Sequence, residues 1–192
     1  MIKIGITGGI GSGKSVVSTL FTILGYPVYI ADTESKRLTD SSPVIREKLI
    51  SIFGDEIYTN TGVDRRLLAS RIFSNHELLA KVNRIIHPEV NKDFNEWAER
   101  QLSPFCAIES AILFESGFNK LVDTSLMVYA PKDVRIERTM LRDSASRVEI
   151  ERRINNQMSD EEKKELSDYI IYNDGNRAII PQVEQFIKHI LR

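Results

Sequence analysis

Ile2-Lys3-Ile4-Gly5-Ile6-Thr7-Gly8-Gly9-Ile10-Gly11-Ser12-Gly13-Lys14-Ser15 is the stretch that decides the fold. Its first six residues form a short apolar run, which reads as a buried strand. The next eight match G-x-x-x-x-G-K-[ST] at every fixed position. Glycines let backbone N–H groups turn inward around phosphate oxygens with no Cβ in the way. Those amides open the following helix, so its positive end faces the anion. Lys14 has the length to reach β- and γ-phosphates, and the Ser15 hydroxyl suits Mg²⁺. Gly8, Gly9, Ile10, Gly11, Ser12, Gly13, Lys14, Ser15 and the amide of Val16 are therefore the candidate nucleotide contacts, with Ser15 the candidate metal ligand.

Beyond the loop, Val17, Leu20, Phe21 and Leu24 recur at helical spacing. Gly25 supplies a helix stop, and Pro27 to Ala31 reads as a second strand ended by Asp32. Strand, helix, strand in about 30 residues is a βαβ unit with parallel strands. Helices are predicted over Pro43 to Phe53, Asp64 to Phe73 and His76 to Ile86. His87-Pro88 predicts a break, with a further helix from Pro88 to about Gln101. Three more apolar runs read as strands: Phe105 to Ile108, Ser125 to Ala130 and Tyr169 to Tyr172. Asp133 to Leu166 reads as a long charged helical stretch, and Val183, Phe186, Ile187, Ile190 and Leu191 mark an amphipathic closing helix.

Five short strands with interleaved helices predict an α/β protein: a three-layer α/β/α P-loop fold around a parallel five-stranded sheet. The expected division is a core of 1–39, 102–137 and 167–192, a helical acceptor lobe of 40–101 and a mobile lid of 138–166. The 192 residues are 42% hydrophobic and 28% charged, with 26 basic and 27 acidic side chains. That balance supplies no global field for nucleic acid. No apolar stretch reaches the roughly 18 residues of a membrane span. The first residues begin a strand rather than a signal segment, so a cytoplasmic protein is expected. The single cysteine, Cys106, lies in an apolar run and reads as a core residue in a reducing compartment.

A phosphate loop alone does not separate kinases from switches and motors. No N-K-x-D segment for guanine is present. Phosphorylating a small molecule requires a carboxylate near the acceptor hydroxyl, a lobe for the acceptor, and cations for developing charge. Asp32 ends the second strand, where ligands of open α/β sheets bind. The same position also suits a helix N-cap for Thr33 to Leu38. Arg135, Arg138, Arg142, Arg147, Arg152 and Arg153 fit either a lid or a solvated helix face paired with Glu137, Glu149 and Glu151. His87 reads as a helix start before Pro88.

Together these motifs resemble the dephospho-CoA kinase family over essentially the whole chain. Thr7-Gly8-Gly9-Ile10-Gly11-Ser12-Gly13-Lys14-Ser15 is similar to its phosphate loop, and Ala31-Asp32 to the end of its Asp-Ala-Asp motif. Arg65-Arg66, Arg71-Ile72-Phe73, His87-Pro88, Leu113-Phe114-Glu115, Arg138 through Asp143, and Asn173-Asp174-Gly175 resemble its other segments. Ile30, Ala111 and Val16 depart from the family pattern. The resemblance implies an ATP- and Mg²⁺-dependent kinase acting on the ribose 3′-hydroxyl of dephospho-CoA. It implies Asp32 as the base, with Lys14, Arg138 and Arg142 in catalysis. It places Asn173 near the adenine, and Arg66, Arg71, His87 and Glu115 with the acceptor. Two rivals remain on the residues alone: a kinase of another small molecule, and an ATP-binding scaffold without transfer activity.

Overall fold

A computed structural model describes every residue except Ser74. In chain order the elements begin with β1 (Ile2–Thr7), α1 (Lys14–Ile23), β2 (Val28–Ile30), α2 (Ala31–Ser41), α3 (Pro43–Phe53), β3 (Tyr58–Thr59) and β4 (Gly62–Val63). They continue with α4 (Arg65–Ile72), α5 (His76–Glu99), β5 (Phe105–Glu109), β6 (Thr124–Tyr129), α6 (Lys132–Asp143) and α7 (Arg147–Asn155). The last are α8 (Asp160–Leu166), β7 (Tyr169–Tyr172) and α9 (Ile179–Ile190). Two compact units emerge: Met1–Tyr29 with Arg100–Arg192, and Ile30–Glu99.

In the first unit the sheet has the order β2-β5-β1-β6-β7. β1 lies at its centre, parallel to β5 (Ile4 opposite Ala107) and to β6 (Ile6 opposite Leu126). Parallel strands are covered on both faces, so they carry near-continuous apolar runs rather than alternation. Ile4, Ile6, Phe105, Ala107, Leu126 and Val128 form one core with Val17 and Phe21 of α1 and Val183, Phe186 and Ile187 of α9. The Phe21 ring meets Phe105 edge-on and stacks on Phe186. Cys106 is fully buried, and burial pushes its thiol up to about 11.

The second unit is helical, with a small antiparallel β3–β4 hairpin that the sequence reading does not predict. α3 is capped by the Ser42 hydroxyl accepting from the Ile45 N–H, and α4 by Asp64 accepting from Arg66 and Leu67. The predicted break at His87-Pro88 does not occur: α5 runs unbroken through Pro88. Val82, Ile86, Val90, Phe94 and Ala98 recur every four residues and are all buried. Each large buried side chain contributes about 1.5–3 kcal/mol, so the stripe outweighs the roughly 3 kcal/mol cost of one internal proline. Pro88 itself sits on the exposed side.

The long charged helical stretch resolves into three helices, α6, α7 and α8. Ser144 takes a left-handed φ of 52°, which ends α6. α7 and α8 each begin with a reciprocal capping box, Ser146 with Glu149 and Ser159 with Glu162. Both S-x-x-E signatures are visible in the sequence.

Candidate active site

β1 delivers the chain to the glycine loop at its carboxyl end, and α1 begins at Lys14. Within the loop, Ser12 N–H donates to the Gly9 carbonyl at 3.1 Å. Gly13 has φ 96° and ψ 25°, a left-handed conformation that glycine adopts without penalty. Its carbonyl accepts the N–H groups of Val16 (3.0 Å) and Val17 (3.4 Å), so the Val16 amide is engaged in the first turn of α1. The N–H groups of Gly11, Gly13 and Ser15 have no protein acceptor among the described residues. Buried or helix-opening amides left in this way form an anion cradle. The Lys14 ammonium folds back over the loop, donating to the carbonyls of Gly8 (2.9 Å) and Gly9 (3.4 Å). The hydroxyls of Thr7 and Ser12, both buried, also lack partners.

Asn173, Arg135 and Gln157 bond this loop directly, and Arg138 stands behind Asn173. Asn173, just after β7, donates its side-chain amide to the Ser12 carbonyl at 2.8 Å. A Cβ added at Gly13 would stand 2.2 Å from that amide nitrogen, so Gly13 also makes room for Asn173. Arg138 of α6 donates to the Asn173 backbone carbonyl at 3.1 Å. Arg135, one turn earlier, donates to the Ile10 carbonyl at 3.1 Å and pairs with Asp160. Gln157 accepts the Ile10 N–H at 3.3 Å. Arg142 does not join this group. It is exposed and pairs with its chain neighbour Asp143, whose carboxyl the Arg142 guanidinium holds below the usual range.

Glu115 lies in the turn after β5. Its Oε1 accepts the Met158 N–H at 2.9 Å and pairs with Lys163 Nζ at 3.0 Å. Lys163 is fully buried and also donates to the Ala111 carbonyl at 2.7 Å. A buried lysine survives only when paired and hydrogen-bonded, and here both conditions hold. Charge runs normally read as solvated, so nothing in Lys163-Lys164 marks one lysine for the interior.

In the second unit, Asp32 is the second residue of α2 and is exposed. It is not the N-cap: Ile30 holds that position, without a side-chain cap bond. The helix begins directly at the end of β2, leaving no loop residue between them for Asp32 to cap. Arg66 is exposed on α4. Arg71, on the same helix, makes a long 3.8 Å pair with Glu56. His87 is half-buried on α5, and burial lowers its pKa, so at neutral pH it is an uncharged hydrogen-bonding group.

The structure adds residues that the sequence reading passed over. Glu109 ends β5, opposite Ile6 in register, and sets a carboxylate at the strand end beside the phosphate-loop strand. Its position at the end of an apolar run was the available signal. Among the described residues no cluster of three metal-ligating side chains occurs. Ser15 at the start of α1 and Glu109 at the end of β5 are the oxygen donors on offer, a set that suits a metal held mainly by water and phosphates.

A parallel sheet whose central strand feeds a glycine loop ending in Gly13-Lys14-Ser15 at the start of a helix is the architecture of the P-loop proteins. Residues 2–178 match the family model described as dephospho-CoA kinase. The dephospho-CoA kinase of Bacteroides fragilis is 48% identical over 187 residues, covering 97% of this chain and 91% of that protein. A crystal structure from Thermus thermophilus superposes with a TM-score of 0.83 at 34% identity, covering 99% of this chain and 96% of the other. The dephospho-CoA kinase of Campylobacter jejuni gives 0.68 at 25% identity, covering 98% and 95%. The chain belongs to the dephospho-CoA kinase family. It is therefore a kinase with ATP as phosphate donor.

Proposed function

We propose that this chain transfers the γ-phosphate of ATP to the ribose 3′-hydroxyl of dephospho-CoA, giving CoA and ADP, the last step of CoA synthesis. The observation that carries the reading is the phosphate loop itself. The amides of Gly11, Gly13 and Ser15 lack acceptors among the described residues, and a lysine lies folded across the loop, within a match to one kinase family over residues 2–178. In this reading the amides and Lys14 hold the β- and γ-phosphates. Lys14 exchanges two carbonyl bonds for phosphate oxygens, a charge-assisted contact of greater strength. Mg²⁺ would be held by the Ser15 hydroxyl, with the Glu109 carboxylate as a second oxygen donor, and would neutralise charge on the phosphates.

Asp32 takes the proton of the 3′-hydroxyl as that oxygen bonds to the γ-phosphorus and the bond to the ADP oxygen breaks. Arg138, and Arg142 once released from Asp143, meet the charge that develops on the transferring group. Arg66 and Arg71 supply cations for the anionic acceptor, and neutral His87 a hydrogen bond. The Oε2 atom of Glu115 has no protein partner among the described residues, and we assign it to an acceptor hydroxyl or amide. Asn173 positions the loop beside the adenine site. We place the reaction in the cytoplasm, without nucleic acid or membrane. No helix among the described residues is long and apolar enough to cross a membrane.

The test is mass spectrometry of dephospho-CoA incubated with ATP, Mg²⁺ and this protein as sole catalyst. A gain of one phosphate is expected. Phosphorylation of a nucleoside monophosphate, shikimate or gluconate with none of dephospho-CoA would reject the substrate. Nucleotide binding with no transfer to any acceptor would favour the scaffold.

A further inference from the structure

The phosphate loop is held from behind as well as lined from within. The Arg135 side chain is only 3% exposed, yet it belongs to a helix rich in charge. One of its nitrogens donates to the Ile10 carbonyl and another pairs with Asp160, the first residue of α8. The opposite edge of the same residue, the Ile10 N–H, is taken by Gln157. Both polar groups of Ile10 are thus fixed by side chains from one segment.

Gly9 shows what this arrangement demands. It occupies a variable position of the motif, and its φ lies outside the left-handed region. Backbone freedom is therefore not the reason for a glycine here. A Cβ at Gly9 would stand 1.9 Å from a guanidinium nitrogen of Arg135, and one at Gly11 would stand 2.4 Å from the Arg135 carbonyl oxygen. Real Cβ atoms essentially never approach so closely; Gly11 also needs glycine for its φ of 78°, so Gly9 is the position where α6 alone makes the demand.

We propose that Arg135, anchored by Asp160, is a positioning residue that locks the Gly9–Gly11 turn in its phosphate-accepting form before ATP arrives. Rotating the peptides around Ile10 would break the bonds to Arg135 and Gln157. The free amides of Gly11 and Gly13 therefore stay ordered in the empty enzyme, and binding does not have to pay for ordering them. Arg135 does this through the loop rather than by touching phosphate, because Asp160 neutralises its charge. The inference rests on the reading of the loop as the ATP site.

Calorimetric titration of ATP·Mg²⁺ into the full chain tests it. Arg135→Gln is expected to weaken binding about tenfold, the scale of one charge-assisted hydrogen bond. Asp160→Asn, which keeps the bond to Ile10, is expected to weaken it by about threefold. Gly9→Ala is expected to weaken binding by more than about tenfold alone, but by less than about twofold when added to Arg135→Gln, because the clash is gone. Ile150→Val, a buried change in α7, should lower thermal stability without moving ATP affinity. Folded Arg135→Gln with wild-type affinity would overturn the proposal, as would an equal Gly9→Ala loss in both backgrounds. If Arg135→Gln does not fold, unchanged affinity in both Asp160→Asn and Gly9→Ala overturns it. Failure of the wild-type chain to bind ATP·Mg²⁺ would overturn the nucleotide reading, and this proposal with it.

Discussion

Replacing Lys163 by Met keeps most of the side-chain volume and removes the ammonium. The change strands the Ala111 carbonyl and leaves Glu115 with only the Met158 N–H. Breaking a fully buried ion pair from one side costs about 3–5 kcal/mol. Lys163 is completely enclosed, but the Glu115 side chain is 24% exposed, so water can partly resolvate it. The expected loss is therefore about 2–3 kcal/mol. In a chain of 192 residues, 1 kcal/mol moves the melting point by roughly 2–4 °C, so Tm should fall by roughly 5–10 °C. Circular dichroism melts at low and high salt make the measurement. A buried pair is little screened, so the drop should persist as the Debye length shrinks from about 10 Å to about 3 Å. Arg147→Ala is the contrast. That residue makes two ion pairs, with Asp133 and Glu151, yet all three side chains are well exposed, and its loss should be scarcely visible. A Lys163→Met melt within about 2 °C of wild type, or a difference that vanishes in high salt, would refute the reasoning.

Asp32→Asn should lower kcat by on the order of 10²-fold while ATP affinity stays within about twofold, because a base acts on the acceptor alone; unchanged turnover would remove Asp32 from that role. The Asp168 carboxylate accepts from the Ser125 N–H and hydroxyl, both at 2.8 Å, and the backbone bond leads in holding its pKa below the usual range. A depressed folded pKa gives stability that is complete above the unfolded value near 3.9 and is lost as pH falls through the folded one. The Tm gap between wild type and Asp168→Asn should thus be widest near neutrality and narrow below about pH 4, and a gap constant with pH would count against it. With its thiol pushed up to about 11 and fully buried, Cys106 should ignore Ellman's reagent at neutral pH until guanidinium unfolds the chain. Stoichiometric labelling of the native protein within minutes would contradict that burial.

Much of this molecule is legible because its local and global preferences agree. The run Ile2 to Thr7, the fixed positions of the glycine loop and the predicted strand Tyr169 to Tyr172 all lie where the sequence puts them. The departures have two causes. At Pro88 a local rule met a longer-range one: the apolar stripe from Val82 to Ala98 continues across the proline, and burial won. Along 133–166 a charged composition hid two S-x-x-E boundaries. The grip on the phosphate loop was the least visible part. Arg135 meets Ile10 across 125 positions, and Asn173 meets Ser12 across 161. No spacing rule reaches so far, and a buried arginine looks no different in sequence from its exposed neighbours Arg142 and Arg147.

The central place of β1 in the sheet has a consequence for how the chain is made. The strand is translated before its partners Phe105–Glu109 and Thr124–Tyr129, which follow about a hundred or more positions later. At about 5–20 residues per second that is a delay of roughly 5–20 s. Through it Ile4 and Ile6 lack the strands that bury them, and the whole of Ile30–Glu99 is translated before those strands follow. Pairings this distant form slowly, so the nascent segment is a natural client for holding chaperones. A nascent chain stopped before Phe105 would display the entire phosphate motif with no strand on either side of it, and would bind no nucleotide.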